Sequence, residues 1–245
     1  MGGPASDTVE SRGLAIVVAV VVALGLTAVS ARAAPVTLTS KSLTTTRTCT
    51  LSAISSSSTV MTDTYVNQAS PAATAGSATF VEVRSSANAN RRTYLRFDLA
   101  ACTPAIPTSA TVTGSLLRLF VTAVPAACRT HDIFRVTATW TEAALTWNNQ
   151  PFGTTINNPV SGQRTSFITV GAAPCQNTTA NVYVNGWDVK SDVQAFIAGT
   201  STNYGWMIRD DVEGSATARS ATFSSKNNNV LLRAPQLTIN YRVTP

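Results

Sequence analysis

Apolar and polar residues alternate with a period of two in segment after segment of this chain, and that periodicity commits it to half-buried β-strands. In Tyr94-Leu95-Arg96-Phe97-Asp98-Leu99, Leu95, Phe97 and Leu99 share one face while Tyr94, Arg96 and Asp98 share the other. Leu117-Arg118-Leu119-Phe120-Val121 repeats the pattern with Arg118 outward. Near the carboxyl end Leu237, Ile239, Tyr241 and Val243 alternate with Thr238, Asn240 and Arg242, a strand that closes the domain. Shorter strands are expected over 78–84, 133–139, 166–170, 181–184, 205–209 and 221–224. They are separated by turn clusters such as Asn157-Asn158-Pro159 and Asn227-Asn228-Asn229.

Many short strands divided by Gly, Pro and Asn point to an all-β sandwich or barrel. Composition agrees. Charged residues make up 12 % of the 245, about half the usual share, which excludes a coiled coil, a charge-rich helical bundle and a charge-driven disordered tail. One short helix is expected after Asp188, which can cap it. Val189, Val193, Phe196 and Ile197 keep helical spacing, and Gly199 fits the stop. No second domain and no tandem repeat is visible.

Residues 13–31 carry no charge and include the apolar run from Leu14 to Leu24, followed by Ala31-Arg32-Ala33. This reads as an export signal cut after Ala33, with an uncleaved anchor as the competing reading. Residues 34–60, rich in Ser and Thr, read as a flexible lead-in that carries one edge strand around Cys49. The domain proper is placed at 61–245. Removing residues 1–33 deletes two positive and two negative charges, so the net +6 of the whole chain belongs to the folded part.

Four cysteines, Cys49, Cys102, Cys128 and Cys175, lie beyond the cut. An even number in an exported chain implies two disulfides. Three connectivities are open, and placement at the ends of adjacent antiparallel strands favours 49–102 and 128–175. None sits in a CxxC spacing, and only Cys128 is close to the single histidine, His131, which argues against zinc.

Four ordered segments carry a family resemblance. They are Asp63-Thr64-Tyr65-Val66; Tyr94 to Leu99; Trp140-Thr141-Glu142 with Leu145-Thr146-Trp147-Asn148; and Gly186-Trp187-Asp188-Val189 with Asn203-Tyr204-Gly205-Trp206. The closing stretch from Arg233 to Tyr241 has a matching terminal form. Together they resemble the DNRLRE-type domain, also classed as carbohydrate-binding module family 96, over roughly residues 61–245. The resemblance implies a jelly-roll β sandwich that binds polysaccharide without cleaving it. It also suggests an acidic glycan such as alginate, which characterised relatives bind.

For such a ligand the candidate contacts are Tyr94, Arg96, Arg118 and Arg135. These are read as outward positions on strands of one sheet, where guanidinium groups would meet uronate carboxylates in bidentate fashion. The competing reading is a solvated or ion-paired face, with Arg96 against Asp98. Arg91-Arg92, in a polar loop, form a second cationic spot. The four tryptophans are read first as packing residues and second as sugar platforms. Asp210, Asp211 and Glu213 form the densest acidic group, and their hard oxygens would suit Ca²⁺, although the spacing is not that of an EF-hand.

A hydrolase lacks its parts. His131, the only histidine, reads as part of an exposed loop after Cys128, and no nucleophile elbow is present. The positive charge is not gathered into a stripe, and export argues against nucleic acid. The expectation is a secreted or cell-surface module with extracellular polysaccharide as partner and no membrane contact after signal cleavage. A structural or adhesive protein and a polysaccharide-degrading enzyme are the alternatives.

Overall fold

The computed structural model describes residues 44–53 and 55–244. The leader expected over 1–33 and the first part of the lead-in lie outside those residues. Thirteen strands and one α-helix are present among the described residues. A four-stranded sheet contains β1 (Thr45–Ser52), β5 (Thr111–Arg118), β10 (Trp187–Asp188) and β13 (Gln236–Val243), in the order β1-β13-β5-β10.

A nine-stranded sheet takes the rest. Its members are β2 (Met61–Asn67), β3 (Phe80–Ser85), β4 (Arg91–Phe97), β6 (Phe120–Ala123), β7 (Arg129–Arg135), β8 (Ser166–Val170), β9 (Val182–Tyr183), β11 (Trp206–Asp210) and β12 (Arg219–Ser224). The order is β8-β7-β11-β4-β3-β12-β6-β9, with β2 paired to β4. All paired strands are antiparallel. The single pair Arg84 opposite Arg91 joins β3 to β4. Buried Leu119 separates β5 from β6, so one run of chain passes from the first sheet into the second. The result is the expected β sandwich of two curled antiparallel sheets.

The alternation explains the core. Val81, Val83, Leu95, Phe97, Leu117 and Ile239 turn their side chains between the sheets and are essentially without exposed surface. Fully burying such a side chain contributes about 1.5–3 kcal/mol, which a sheet with only one apolar face collects on every second residue. The strand expected to close the domain, β13, lies inside its sheet between β1 and β5; β1 takes the edge.

Both favoured disulfides are present, Cys49–Cys102 and Cys128–Cys175. Their placement is less symmetrical than adjacent strand ends. Cys49 lies in the middle of β1, while Cys102 follows the 3-10 turn Leu99–Ala101, so the bond pins an edge strand to a loop. The helix, α1 (Lys190–Ile197), is capped one residue later than expected. Val189 occupies the cap position, yet Asp188 Oδ1 still accepts the Lys190 N–H at 2.9 Å. Gly199 ends the helix with φ +71°, in the left-handed region that suits glycine.

The strand expected at 133–139 is displaced. β7 starts at Arg129, so the segment expected as an exposed loop, Arg129 to Asp132, is strand, and His131 and Asp132 are buried. Distant residues contact both, while His131 Nδ1 and Asp132 Oδ2 stay without a hydrogen bond. His131 packs edge-on near Phe223 while its carbonyl accepts the Trp187 Nε1–H at 2.9 Å, and Asp132 accepts from Arg164 at 3.1 Å.

Candidate functional site

On β4 the residues opposite the core face are Arg92, Tyr94 and Arg96, flanked by Met207 and Arg209 of β11 and by Phe134 of β7. This outer face is not open. The connection from Val136 to Thr165 lies over it and adds Trp140, Leu145, Trp147 and Phe152, forming a second apolar cluster with Val66, Tyr94 and Met207. Tyr94 is therefore not an outward contact. It has no exposed surface, its hydroxyl donates to Gln150 at 3.0 Å, and burial holds its ionisation above the usual tyrosine range.

Arg92 anchors the covering segment. Its guanidinium binds Glu213 through two bonds of 2.7 and 2.8 Å and donates to Gln150 and to the carbonyls of Gly153 and Thr155. It also stacks 4.7 Å from the Trp147 ring centre. The cationic spot expected in a loop thus lies on β4, with Arg92 a buried brace and Arg91 partly exposed and paired with Glu82. All four tryptophans are at most 5 % exposed, which assigns them to packing rather than to sugar stacking.

Arginines remain accessible at one end of this sheet. Leu95 pairs with Trp206, and Trp206 with Arg135, so the ends of β4, β11 and β7 meet in one row; β8 continues it beside β7. Gly205 makes this approach feasible, because with φ +76° a Cβ there would stand 2.2 Å from the Leu95 carbonyl oxygen. At one side of the row Arg96 stacks 5.7 Å from the Trp140 ring and lines a recess of about 390 Å³ with Thr62, Asp98 and Asn203. Asp98 does not pair with Arg96; it caps the following turn by accepting the Ala100 N–H.

At the other side Arg135 and Arg164 line a cleft of about 530 Å³ with Thr137, Phe152, Gln163 and Ser191. Their side chains are 38 % and 33 % exposed, enough to present N–H donors outward. Each pairs with a buried carboxylate, and that of Asp192 also lines the cleft. Asp192 lies 3.5 Å from Arg135 and also accepts from Thr165 Oγ1 at 2.6 Å and from Trp206 Nε1 at 2.9 Å. Asp132 accepts from Arg164, and burial raises its proton affinity despite the neighbouring guanidinium groups. Arg164 also lies 4.2 Å from the ring centre of Phe167, which is 49 % exposed. A smaller recess with Thr202 and Tyr204 shares Arg135 and Thr137 with the cleft.

Arg96 and Arg135 both lie near this end of the nine-stranded sheet but in separate recesses, Arg96 on the outer face with Tyr94 and Arg135 on the face it shares with Trp206. Arg118 does not: it ends β5 in the other sheet and is exposed beside Gly186. Arg164, Phe167 and Asp192 join the row without having been singled out. Arg164 and Phe167 are three residues apart across the start of β8, which was the signal available for that pair.

The acidic group divides between arginines. Asp210 takes Arg129 through two bonds, one of 2.9 Å; Asp211 lies 3.4 Å from the same guanidinium; Glu213 takes Arg92. No group of three or more His, Cys, Asp or Glu is gathered to hold a metal among the described residues. The Ca²⁺ expectation therefore gains no support from this geometry. His131 is enclosed in the core, and burial followed by the charge of Arg129 lowers its pKa to about 3, so a neutral ring faces Phe223 rather than a substrate.

A β sandwich with a row of braced arginines fits glycan recognition, and the family comparison decides the class. The sequence profile of carbohydrate-binding module family 96 matches residues 54–241, which takes in the nine-stranded sheet with these arginines and the smaller sheet apart from β1 and the end of β13. The chain belongs to that family. None of the curated proteins matches the chain. As a family 96 module it is a carbohydrate-binding protein, and the arginine row is the candidate place for the carbohydrate.

Proposed function

We propose that this family 96 module is exported, does not cleave its ligand, and binds an acidic polysaccharide of the alginate type along the row from Arg96 to Arg164. One observation carries the reading. Arg135 and Arg164 share a cleft, partly exposed, with buried Asp192 and Asp132 fixing their orientation. A braced guanidinium loses little freedom on meeting a planar carboxylate, so bidentate geometry rather than loose surface charge does the selecting. Arg96, which no carboxylate bonds, presents its guanidinium at the far side, where Asp98 lines the same recess. Four neighbouring strands at about 4.8 Å spacing give the row a length of roughly 14 Å, which suits a chain segment rather than one sugar.

The apolar leader in the sequence and the two disulfides support export. Among the described residues no helix is long and apolar enough to cross a membrane. The buried state of the only histidine supports binding without catalysis.

The test is affinity electrophoresis or calorimetry against polyuronates and neutral glycans. Binding to polyuronate that weakens with added salt, and that is lost in the triple variant Arg96→Ala/Arg135→Ala/Arg164→Ala but kept in Arg118→Ala, is the expected result. Absence of binding to any glycan, with retention on the producing cells, would replace this reading with a structural or adhesive one. Shortened polysaccharide products would replace it with an enzyme.

A further inference from the structure

The molecule has eight phenylalanines, five tyrosines and four tryptophans, and all of them lie in the described residues. Phe167 alone among them is exposed, with 49 % of its surface open; the others are buried or half-buried, most of them in the two apolar clusters. Along β8, Ile168 and Val170 turn into the core, so Phe167 and Thr169 take the opposite face. A polar residue is the ordinary choice there, because a phenylalanine left half in water forgoes much of the stabilisation that burial supplies.

A lone exposed apolar side chain is common on protein surfaces and by itself points to nothing. The place of this one is what counts. Phe167 lies directly opposite Asp132 across the β7–β8 pairing, and Arg164, which donates to Asp132 at 3.1 Å, stacks 4.2 Å from the Phe167 ring centre. The guanidinium is thus held by a buried carboxylate and by the ring, and it lines the cleft assigned above to a polyuronate. β8 is the edge strand of its sheet, and the segment after Cys175 bonds along that edge at Thr169 and Gly171, past Phe167. A chain seated on Arg164 therefore has the open part of the ring beside it.

We propose that Phe167 is the sugar platform of the polyuronate site: the apolar C–H face of a pyranose packs on its open surface while Arg164 holds a carboxylate of the same chain. This rests on the arginine reading and sharpens it. Guanidinium groups alone answer to any flexible polyanion, whereas a flat ring at their side rewards only an anion that carries an apolar face close to its carboxylate. A uronate has both on one six-membered ring. A polyglutamate has its carboxylates on flexible stems with no such face. Phe167 belongs to neither apolar cluster, so its role is separable from folding.

The experiment is calorimetry of the purified protein against two probes with equal numbers of carboxylates, an oligouronate and an oligoglutamate, each at low and at raised salt. The wild type is expected to prefer the oligouronate by roughly three- to tenfold, the range that one aromatic contact supports. Phe167→Ala should remove that preference, leave the oligoglutamate affinity and the salt dependence of both probes unchanged, and melt near the wild-type temperature. Phe167→Leu keeps an apolar neighbour for the Arg164 guanidinium but no flat ring, and should behave like Phe167→Ala. Phe167→Trp should keep the preference or exceed it. Equal affinity of the wild type for the two probes, or an undiminished preference in Phe167→Ala, overturns the proposal and leaves the arginine reading standing. A fall in affinity for both probes in Phe167→Ala and Phe167→Leu also overturns it, because the ring would then serve only to hold Arg164. Failure of the wild type to bind either probe overturns the arginine reading and this proposal with it.

Discussion

Arg92 and Glu213 form a bidentate pair in which neither side chain has any exposed surface, and the two come from strand β4 and from the loop after β11. The same guanidinium holds the carbonyls of Gly153 and Thr155, so the pair also fastens the segment that covers the outer face of the sheet. Removing one partner strands the other charge.

Arg92→Met is accordingly expected to lower unfolding stability by about 3–5 kcal/mol, and Glu213→Met by a comparable amount. The double variant should recover much of the loss, because two apolar side chains of similar volume leave no charge buried. Urea midpoints for the two single variants and the double close the cycle. Additive losses would show that the pair is not the unit of stability, and limited proteolysis within residues 136–165 would rise in Arg92→Met if the covering segment is released.

The disulfides close loops of similar size, with sequence separations of 53 and 47. Chain-entropy arguments assign about 2–4 kcal/mol to each. Cys49→Ala/Cys102→Ala should therefore lower the melting temperature and also free β1, which is an edge strand held on one side by β13. Cys128→Ala/Cys175→Ala should lower it without affecting exchange of the β1 amides. Hydrogen exchange distinguishes the two variants.

The strand alternation was legible wherever one face met the core and the other met water, as along β5 and β13. It was silent about what covers an outward face. Arg92, read as part of a polar loop, and Arg118, read as an outward position of an alternating run, carry the same side chain, yet one is a buried brace and the other is exposed. The difference lies in the long connection after β7, whose Trp140, Leu145 and Trp147 pack on the sheet at spacings that belong to neither strand nor helix. Arg164 reached the row through the pairing of β8 with β7, and Asp192 through a helix that docks at the same end. Such long-range placement leaves no local signature. His131 and Asp132 misled for a related reason: polar letters suggest a loop unless their distant partners are known.

Asp63 should impose a stability loss as pH rises. Its buried carboxyl binds a proton more tightly in the folded protein, at about 7, than in the unfolded chain near 3.8. Between those values the folded state holds more protons, so stability falls with pH and the full cost is present above about 7. Asp63→Asn keeps an oxygen to accept the Lys226 backbone N–H and removes the charge. The variant should match wild type near pH 4 and exceed it by up to a few kcal/mol near pH 7.5. Urea midpoints across that range give the answer, and an unchanged difference between the two proteins would rule the linkage out.

His131 should act in the opposite direction over nearly the same interval. Its folded value of about 3 lies below the unfolded 6.5, so the unfolded chain binds the extra proton and stability drops as pH falls from 6.5 toward 3. The two effects oppose each other between about pH 4 and 6.5, which flattens the wild-type profile. His131→Phe, a ring of similar size set against Phe223, removes the acid-side loss and exposes the Asp63 slope, with stability falling as pH rises. Asp63→Asn exposes the His131 slope, with stability rising. The double variant should keep only the smaller downward trend from Asp132 and Asp211, whose proton affinities burial also raises. Slopes of the same sign in the two single variants would mean that one of these groups is not what sets the profile.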